Sequence, residues 1–219
     1  MINGIIFDMD GVIFNTQKLI FESEILLFQK MNLKISKKKH ESYAGNTSWE
    51  LWKNLKKEFY LKEDIKHLVY QHRKFGFEYI KKHGIFPVNG VEKLLINLNT
   101  AGIKIALATS GWQTRADWML KSTNLYDKFD FIAYGDDVKN SKPEPDIFLY
   151  AAKYLNISNT ECCVIEDSKN GVIAANKANI IVLGFNNPDS GNQDLSTANY
   201  IFNDFTKLTI DTIKGVSGN

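Results

Sequence analysis

Cysteine is nearly absent from this 219-residue chain, and the two that occur, Cys162 and Cys163, are neighbours. Adjacent residues in a strand face opposite ways, so the pair suits neither a disulfide nor a metal site and reads as two buried thiols. Long apolar runs are missing as well: nothing reaches the roughly 18 residues of a membrane span. No excess of one charge exists either. A net charge of +2 is too small to argue for nucleic acid or an anionic membrane as partner. The local run Lys37-Lys38-Lys39-His40 and the pair Lys56-Lys57 read as solvated helix faces. The first strand is expected to start at once, so no signal peptide is expected. Internal repeats and low-complexity segments are lacking. These absences suit a cytoplasmic globular protein, and we expect a monomer.

What is present is organised around one strand and the turn that ends it, Gly4-Ile5-Ile6-Phe7-Asp8-Met9-Asp10-Gly11-Val12. Ile5 to Phe7 reads as a strand buried on both faces. It delivers two carboxylates, Asp8 and Asp10, to its end, where Gly11 allows a sharp turn. In parallel α/β sheets, ligands bind at the carboxyl ends of the strands. Alone, an acid-rich turn after a strand is common. The neighbouring pattern has to decide.

After this turn the periodicity becomes helical. Thr16 to Met31 carries an apolar stripe at Leu19, Ile20, Leu26 and Leu27 with the small Ser23. Ser36 can cap a short helix reaching Tyr43. Thr47-Ser48-Trp49-Glu50 has the form of a capping box, so a helix should start at Ser48. Another runs from about Lys62 to Lys82, with Ile65, Leu68, Val69, Phe75 and Tyr79 inward. Gly84-Ile85-Phe86-Pro87 then reads as a linker. The four histidines, His40, His67, His72 and His83, all fall in this block without metal spacing and read as surface residues.

From Asn89 onward helix and strand alternate. Helices are expected over Val91 to Leu98, Thr114 to Ser122, Pro143 to Leu155 and Ser168 to Ala178, the third with two prolines in its first turn. Strands are expected at Ile103 to Ala108, Phe129 to Tyr134, Cys162 to Ile165, Ile180 to Leu183 and Tyr200 to Phe202. Such alternation implies a parallel sheet with right-handed crossovers. Asn179 should adopt the left-handed region, and Gly215 to Asn219 should fray. The fold class is therefore α/β: a Rossmann-like parallel sheet core flanked by helices (residues 1–14 and 87–219), with an inserted all-helical cap domain (15–86) at the mouth of the sheet.

Four segments at strand ends carry a resemblance. Phe7-Asp8-Met9-Asp10-Gly11-Val12-Ile13-Phe14-Asn15-Thr16 resembles the first motif of the haloacid dehalogenase-like hydrolases. Leu107-Ala108-Thr109-Ser110 resembles the second, Ser141-Lys142-Pro143-Glu144-Pro145-Asp146 the third, and Val164-Ile165-Glu166-Asp167-Ser168 the fourth. Within that superfamily the chain is most similar to the helical-cap phosphatases and phosphomutases of the β-phosphoglucomutase-like branch.

The resemblance implies a magnesium-dependent phosphomonoester hydrolase acting on a small phosphorylated metabolite. Asp8 is then the nucleophile, forming an aspartyl-phosphate that splits one hard step into two. Asp10 protonates the leaving oxygen and later takes a proton from water. Lys142 pairs with the phosphate and with Asp8, while the Thr109 hydroxyl and the Ser110 N–H bind phosphate oxygens. Magnesium is implied at Asp8, the Asp10 backbone carbonyl and Asp167. Glu166 is either a further ligand or a residue behind the ligands.

An acid at Asp10 sets the chain apart from the superfamily's dehalogenases and phosphonatases, which lack one there. The mutase alternative is weaker than the phosphatase reading. β-Phosphoglucomutases carry a histidine where Ile20 stands, an arginine where Ser48 stands, and lysine and asparagine at Trp112 and Gln113. Those grips on a second phosphate are missing here. A non-catalytic phosphometabolite-binding protein is a third reading, opposed by the presence of every acid and the lysine. Specificity is expected from the loop Ala44 to Trp49, which includes Gly45, and from Trp112, either tryptophan stacking on a substrate ring or packing internally.

Overall fold

The computed structural model describes residues 2–43 and 47–216. Two compact units divide the chain: Met1–Asn15 together with Ile85–Asn219, and Thr16–Gly84.

The first unit is a parallel six-stranded sheet. Its strands are β1 (Gly4–Phe7), β2 (Lys104–Ala108), β3 (Phe131–Ala133), β4 (Cys162–Glu166), β5 (Ile181–Phe185) and β6 (Tyr200–Phe202), in the order β3-β2-β1-β4-β5-β6. All four residues of β1 are buried, as an apolar run in the centre of such a sheet must be. Ile6, Ala106 and Val164 share one core with Phe148 and Ala151 of helix α7 (Asp146–Leu155) and Val172 and Ala175 of α8 (Lys169–Lys177). Cys162 and Cys163 are fully buried, unpaired thiols; burial pushes Cys162 up to about 12 and Cys163 up as well. Asn179 has φ 56, and Gly102, just after α5 (Val91–Thr100), has φ 70. A short helix, α9 (Ile210–Gly215), follows the last strand and buries Ile213. Its six residues are too few for a legible period. Fraying beyond Val216 concerns residues outside those described.

Several helix boundaries differ from the sequence reading by one to three residues. α6 covers Gln113–Ser122, one residue earlier than expected. α7 begins only at Asp146, so Pro143 and Pro145 precede it rather than fill its first turn. A residue before proline is pushed away from helical geometry, and both Lys142 and Glu144 stand before one. The Lys142–Pro143 peptide is cis.

The second unit contains α1 (Gln17–Lys30), α2 (Lys37–Glu41), α3 (Ser48–Glu58) and α4 (Ile65–His83). Thr47 and Glu50 form a complete capping box at the start of α3, and the Ser36 hydroxyl accepts from the Lys39 N–H at the start of α2. Leu27, Phe28, Leu51, Trp52, Leu55, Leu68 and Val69 make its core. Leu26, placed in the stripe by periodicity, is exposed, and Phe28 points inward instead.

His67 and His83 are exposed, but His40 and His72 are buried, which corrects their reading as surface residues. The reason is Glu24 of α1. Its carboxylate receives His40 Nε2 at 2.5 Å and His72 Nε2 at 3.0 Å, while His40 stacks on Phe21 and His72 meets Trp52 edge-on. Burial alone would raise the Glu24 carboxyl, yet the hydrogen bonds from His40 and His72, with their charges, hold it below 4.5. Stability from this group is present above 4.5 and is lost as pH falls through the lower folded value. Glu24→Gln should therefore lower the melting temperature at pH 7 by roughly 5 °C. The gap between variant and wild type should close on acidification. Melts followed by tryptophan fluorescence from pH 7 to 3 check this, and a gap that persists at the lowest pH would overturn it.

Candidate active site

Each residue singled out at a strand end lies in the sheet-containing unit. β1 ends at Phe7, and the Asp8 N–H continues its ladder to the Ile165 carbonyl at 3.0 Å, so Asp8 stands beside the end of β4. The turn that follows is tight: Gly11 has φ 90, and a Cβ there would overlap the Asp167 carboxylate. Asn187 secures this turn from behind, donating to the Gly11 carbonyl at 2.7 Å and to Asn15 Oδ1 at 2.8 Å.

Lys142 bridges two strands' acids. Its Nζ donates to Asp8 Oδ1 at 2.5 Å, to Glu166 Oε1 at 2.7 Å and to the Ala108 carbonyl at 3.3 Å. The side chains of all three charged residues are nearly closed to solvent, 7% exposed for Lys142, 10% for Asp8 and 1% for Glu166. Glu166 has no free oxygen, because Oε2 accepts from the Ser168 N–H at 2.8 Å and hydroxyl at 2.9 Å. Gly171 makes room for it, since a Cβ there would overlap the Glu166 carboxylate. Both Glu166 oxygens are thus engaged, one by Lys142 and the other by Ser168.

Asp167 is buried, and its Oδ2 accepts from the Ser190 hydroxyl. Two carboxylates, Asp8 and Glu166, thus contact one lysine, and the Asp167 charge acts on the same group without touching it. The charge imbalance shows in the titration behaviour. Asp8 is pushed up to about 7 by burial first, with Glu166 and Asp10 adding to it and Lys142 opposing. Asp167 is raised well above 3.8 by burial, then by Glu166 and Asp8. Lys142 stays cationic: burial favours its neutral form, but Asp8 and Glu166 outweigh that.

Thr109, at the end of β2, is fully buried and its hydroxyl accepts from the Gly111 N–H at 2.9 Å; Ser110 is exposed. Asp10 does not join the lysine cluster. Its carboxylate is held by Arg115 of α6, with Nη1 donating to Oδ2 at 3.0 Å and Nη2 to Oδ1. Trp112 is partly buried and Trp49 exposed, whereas Ala44 to Asn46, including Gly45, lie outside the described residues.

Sequence reasoning missed Arg115, Asn187 and Ser190. For Arg115 a signal existed: 25 of the 27 cationic residues are lysine, so either arginine marks a place where a planar fork matters. Asn187 and Ser190 lay in a loop with no pattern to read.

Among the described residues, no group of three or more His, Cys, Asp or Glu is arranged to hold a metal by side chains alone. The donor set nonetheless fits a hard cation. Magnesium is commonly held by one or two carboxylates, with substrate phosphate and water completing its octahedron. Asp8 and Asp167 supply two buried carboxylates whose charge, with that of Glu166, Lys142 only partly offsets.

A parallel sheet whose strand ends bring two acids onto one buried lysine, with a third buried acid adjacent in sequence, defines an α/β protein with a highly charged site. The model of the haloacid dehalogenase-like hydrolase family matches residues 5–185, and the chain belongs to that family. A phosphorylated carbohydrates phosphatase of Thermotoga maritima is 38% identical over 118 residues, 54% of this chain and 53% of that protein. A β-phosphoglucomutase of Bacillus subtilis is 36% identical over 95 residues, 43% of this chain and 41% of that protein. The chain thus spans about half the length of these curated relatives. The crystal structure of a β-phosphoglucomutase from Clostridium difficile superposes with a TM-score of 0.82 at 31% identity, covering 98% of this chain and 96% of that one.

Proposed function

We propose that this protein is a magnesium-dependent phosphomonoester hydrolase that acts on a small phosphorylated metabolite of the carbohydrate kind through an aspartyl-phosphate on Asp8. The observation that carries this reading is the buried Lys142 bridge to Asp8 and Glu166. It supplies a fixed cation where a phosphate dianion must meet a carboxylate nucleophile. A relative named for hydrolysing phosphorylated carbohydrates supports the substrate class.

In this reading Asp8 attacks phosphorus, the bond to the leaving oxygen breaks, and Asp10 gives that oxygen a proton. Water then attacks the phosphorus of the aspartyl-phosphate, Asp10 takes its proton, the P–O bond to Asp8 breaks to restore the carboxylate, and phosphate departs. Lys142 stays on Asp8 and the phosphoryl group throughout, Glu166 keeps it aimed, and Thr109 and Ser110 bind the remaining oxygens. Asp8, the Asp10 carbonyl and Asp167 would hold the magnesium, which supplies charge neutralisation when bound and keeps both carboxylates ionised. Thr16–Gly84, an all-helical unit inserted after β1, fits a cap domain, with residues 1–14 and 87–219 as the core domain.

A mutase reading has relatives in its favour. It is opposed by Ile20, Ser48, Trp112 and Gln113 at positions where those enzymes grip a second phosphate. The deciding experiment is a phosphate-release screen over sugar phosphates, nucleotides and cofactor phosphates, with magnesium or with EDTA. Turnover of at least one sugar phosphate is expected, falling at least about 100-fold in EDTA. Release that is indifferent to chelation, or none from any ester, would remove the proposal.

A further inference from the structure

We propose that Ser190 is a positioning residue for the cation site: it holds one oxygen of Asp167, so that a metal can take only the other, and this favours magnesium over calcium. The inference rests on the magnesium reading above and adds a residue that lies outside the four strand-end segments.

The Ser190 hydroxyl donates to Asp167 Oδ2. The turn after β1 packs against the same oxygen. A Cβ on Gly11 would overlap Asp167 Oδ2 and stand 2.8 Å from Ser190 Oγ, so only the bare backbone of glycine fits against the pair. Oδ2 is thus enclosed by protein. Oδ1 receives no donor among the described residues, although Asp167 as a whole is 2% exposed. A buried carboxylate oxygen is rarely left without a partner, and Oδ1 is the oxygen that a cation would meet.

Ser190 is fixed by its own loop. It ends the turn Pro188–Ser190, which Asn187 starts. Asn187 is buried; its Nδ2 donates to the Gly11 carbonyl and to Asn15 Oδ1, and its Oδ1 accepts the Asp189 N–H at 2.9 Å. The Ser190 N–H closes back onto the Asn187 carbonyl at 3.1 Å, and the Ser190 carbonyl accepts from Gln193 Nε2 at 3.2 Å. One loop therefore braces the Gly11 turn and aims a hydroxyl at the acid that follows β4.

Asp8 is treated alike. Lys142 takes its Oδ1, and its Oδ2 has no donor among the described residues. Glu166 has neither oxygen to give. The side chains thus offer a cation one oxygen from each of two carboxylates. Magnesium accepts such single-oxygen ligands in a strict octahedron, whereas calcium takes about six to eight oxygens and often both from one carboxylate. Withholding the second Asp167 oxygen therefore weakens calcium more than magnesium.

The test titrates magnesium and calcium by calorimetry into the whole protein without substrate, so no turnover is needed. The ratio of dissociation constants, calcium over magnesium, should be at least about tenfold in the wild type and fall at least about fivefold in Ser190→Ala. Ser190→Thr keeps the hydroxyl and should keep the ratio. Ser190→Val has the shape of threonine without the hydroxyl and should behave as Ser190→Ala does. Shifts in melting temperature with each ion give the ratio a second time. A ratio unchanged in Ser190→Ala and Ser190→Val would overturn the proposal even if both variants melt lower, since Ser190 would then only steady its loop. So would a wild-type ratio near one. Asp167→Asn separates this from the reading beneath it. Magnesium affinity that survives Asp167→Asn would place the ion elsewhere and sink the magnesium site together with the role of Ser190. Affinity that falls in Asp167→Asn while the Ser190 variants leave the ratio unchanged would sink the Ser190 role alone.

Discussion

Asp8→Asn should abolish phosphate release, by about 10⁴-fold or more, without loosening the fold. The amide keeps the size and shape of the carboxylate but is no longer a nucleophile. In many sites the loss of one member of a buried ion pair is costly, because the partner charge is stranded. Here it is not stranded: Lys142 keeps Glu166 at 2.7 Å and the Ala108 carbonyl at 3.3 Å. Asp8 is also the acid that burial pushes up to about 7, so its charge is poorly accommodated in the protein alone. Removing that charge relieves Asp167 as well, whose carboxyl is raised in part by Asp8. The melting temperature of Asp8→Asn should therefore equal or exceed that of the wild type. Rates measured beside a thermal melt check both halves. Activity near the wild-type level would remove Asp8 as nucleophile, and a large drop in melting temperature would contradict the charge argument.

The opposite balance is expected for Lys142→Met. This change removes the cation that three buried carboxylates share and replaces it with an apolar chain of similar length. Asp8, Glu166 and Asp167 are then left with no positive side chain among them. Breaking such a cluster should cost about 3–5 kcal/mol, which for a chain of this size is a fall of roughly 10 °C in melting temperature. Turnover should drop at least about 100-fold, because the fixed charge at the transferring phosphoryl group is lost. Magnesium provides a sharper reading. A cation between Asp8 and Asp167 supplies part of the missing charge, so magnesium should raise the melting temperature of Lys142→Met more than that of the wild type. Melts with magnesium and with EDTA give the comparison. Equal shifts in the two proteins would mean that Lys142 and the metal do not share the same carboxylates.

Most of the architecture was legible because it depends on short-range pattern. A continuous apolar run at Ile5–Phe7 becomes a central parallel strand, and Thr47-Ser48-Trp49-Glu50 becomes a capped helix start, whatever surrounds them. Asn179 takes the left-handed turn that its position requires. The acids and lysine at strand ends were legible for a related reason. A parallel sheet brings the ends of its strands to one edge, so residues distant in sequence become neighbours by topology alone. Asp8 and Lys142 are 134 residues apart and share a hydrogen bond.

What the tertiary structure decided are the pairings that no period encodes. Glu24 with His40 and His72 joins three helices through side chains, and it turned two expected surface histidines into buried ones. Both Glu166 oxygens are spent on Lys142 and Ser168, a choice that two acids in a row could not express. Arg115 on Asp10 is a contact across 105 residues, set by how one side chain of α6 happens to reach past Gly111. Backbone pattern determines which elements form and which ends meet. Which charged group closes on which is determined by side-chain reach and burial in the packed state, where an unpartnered charge is too costly to leave alone.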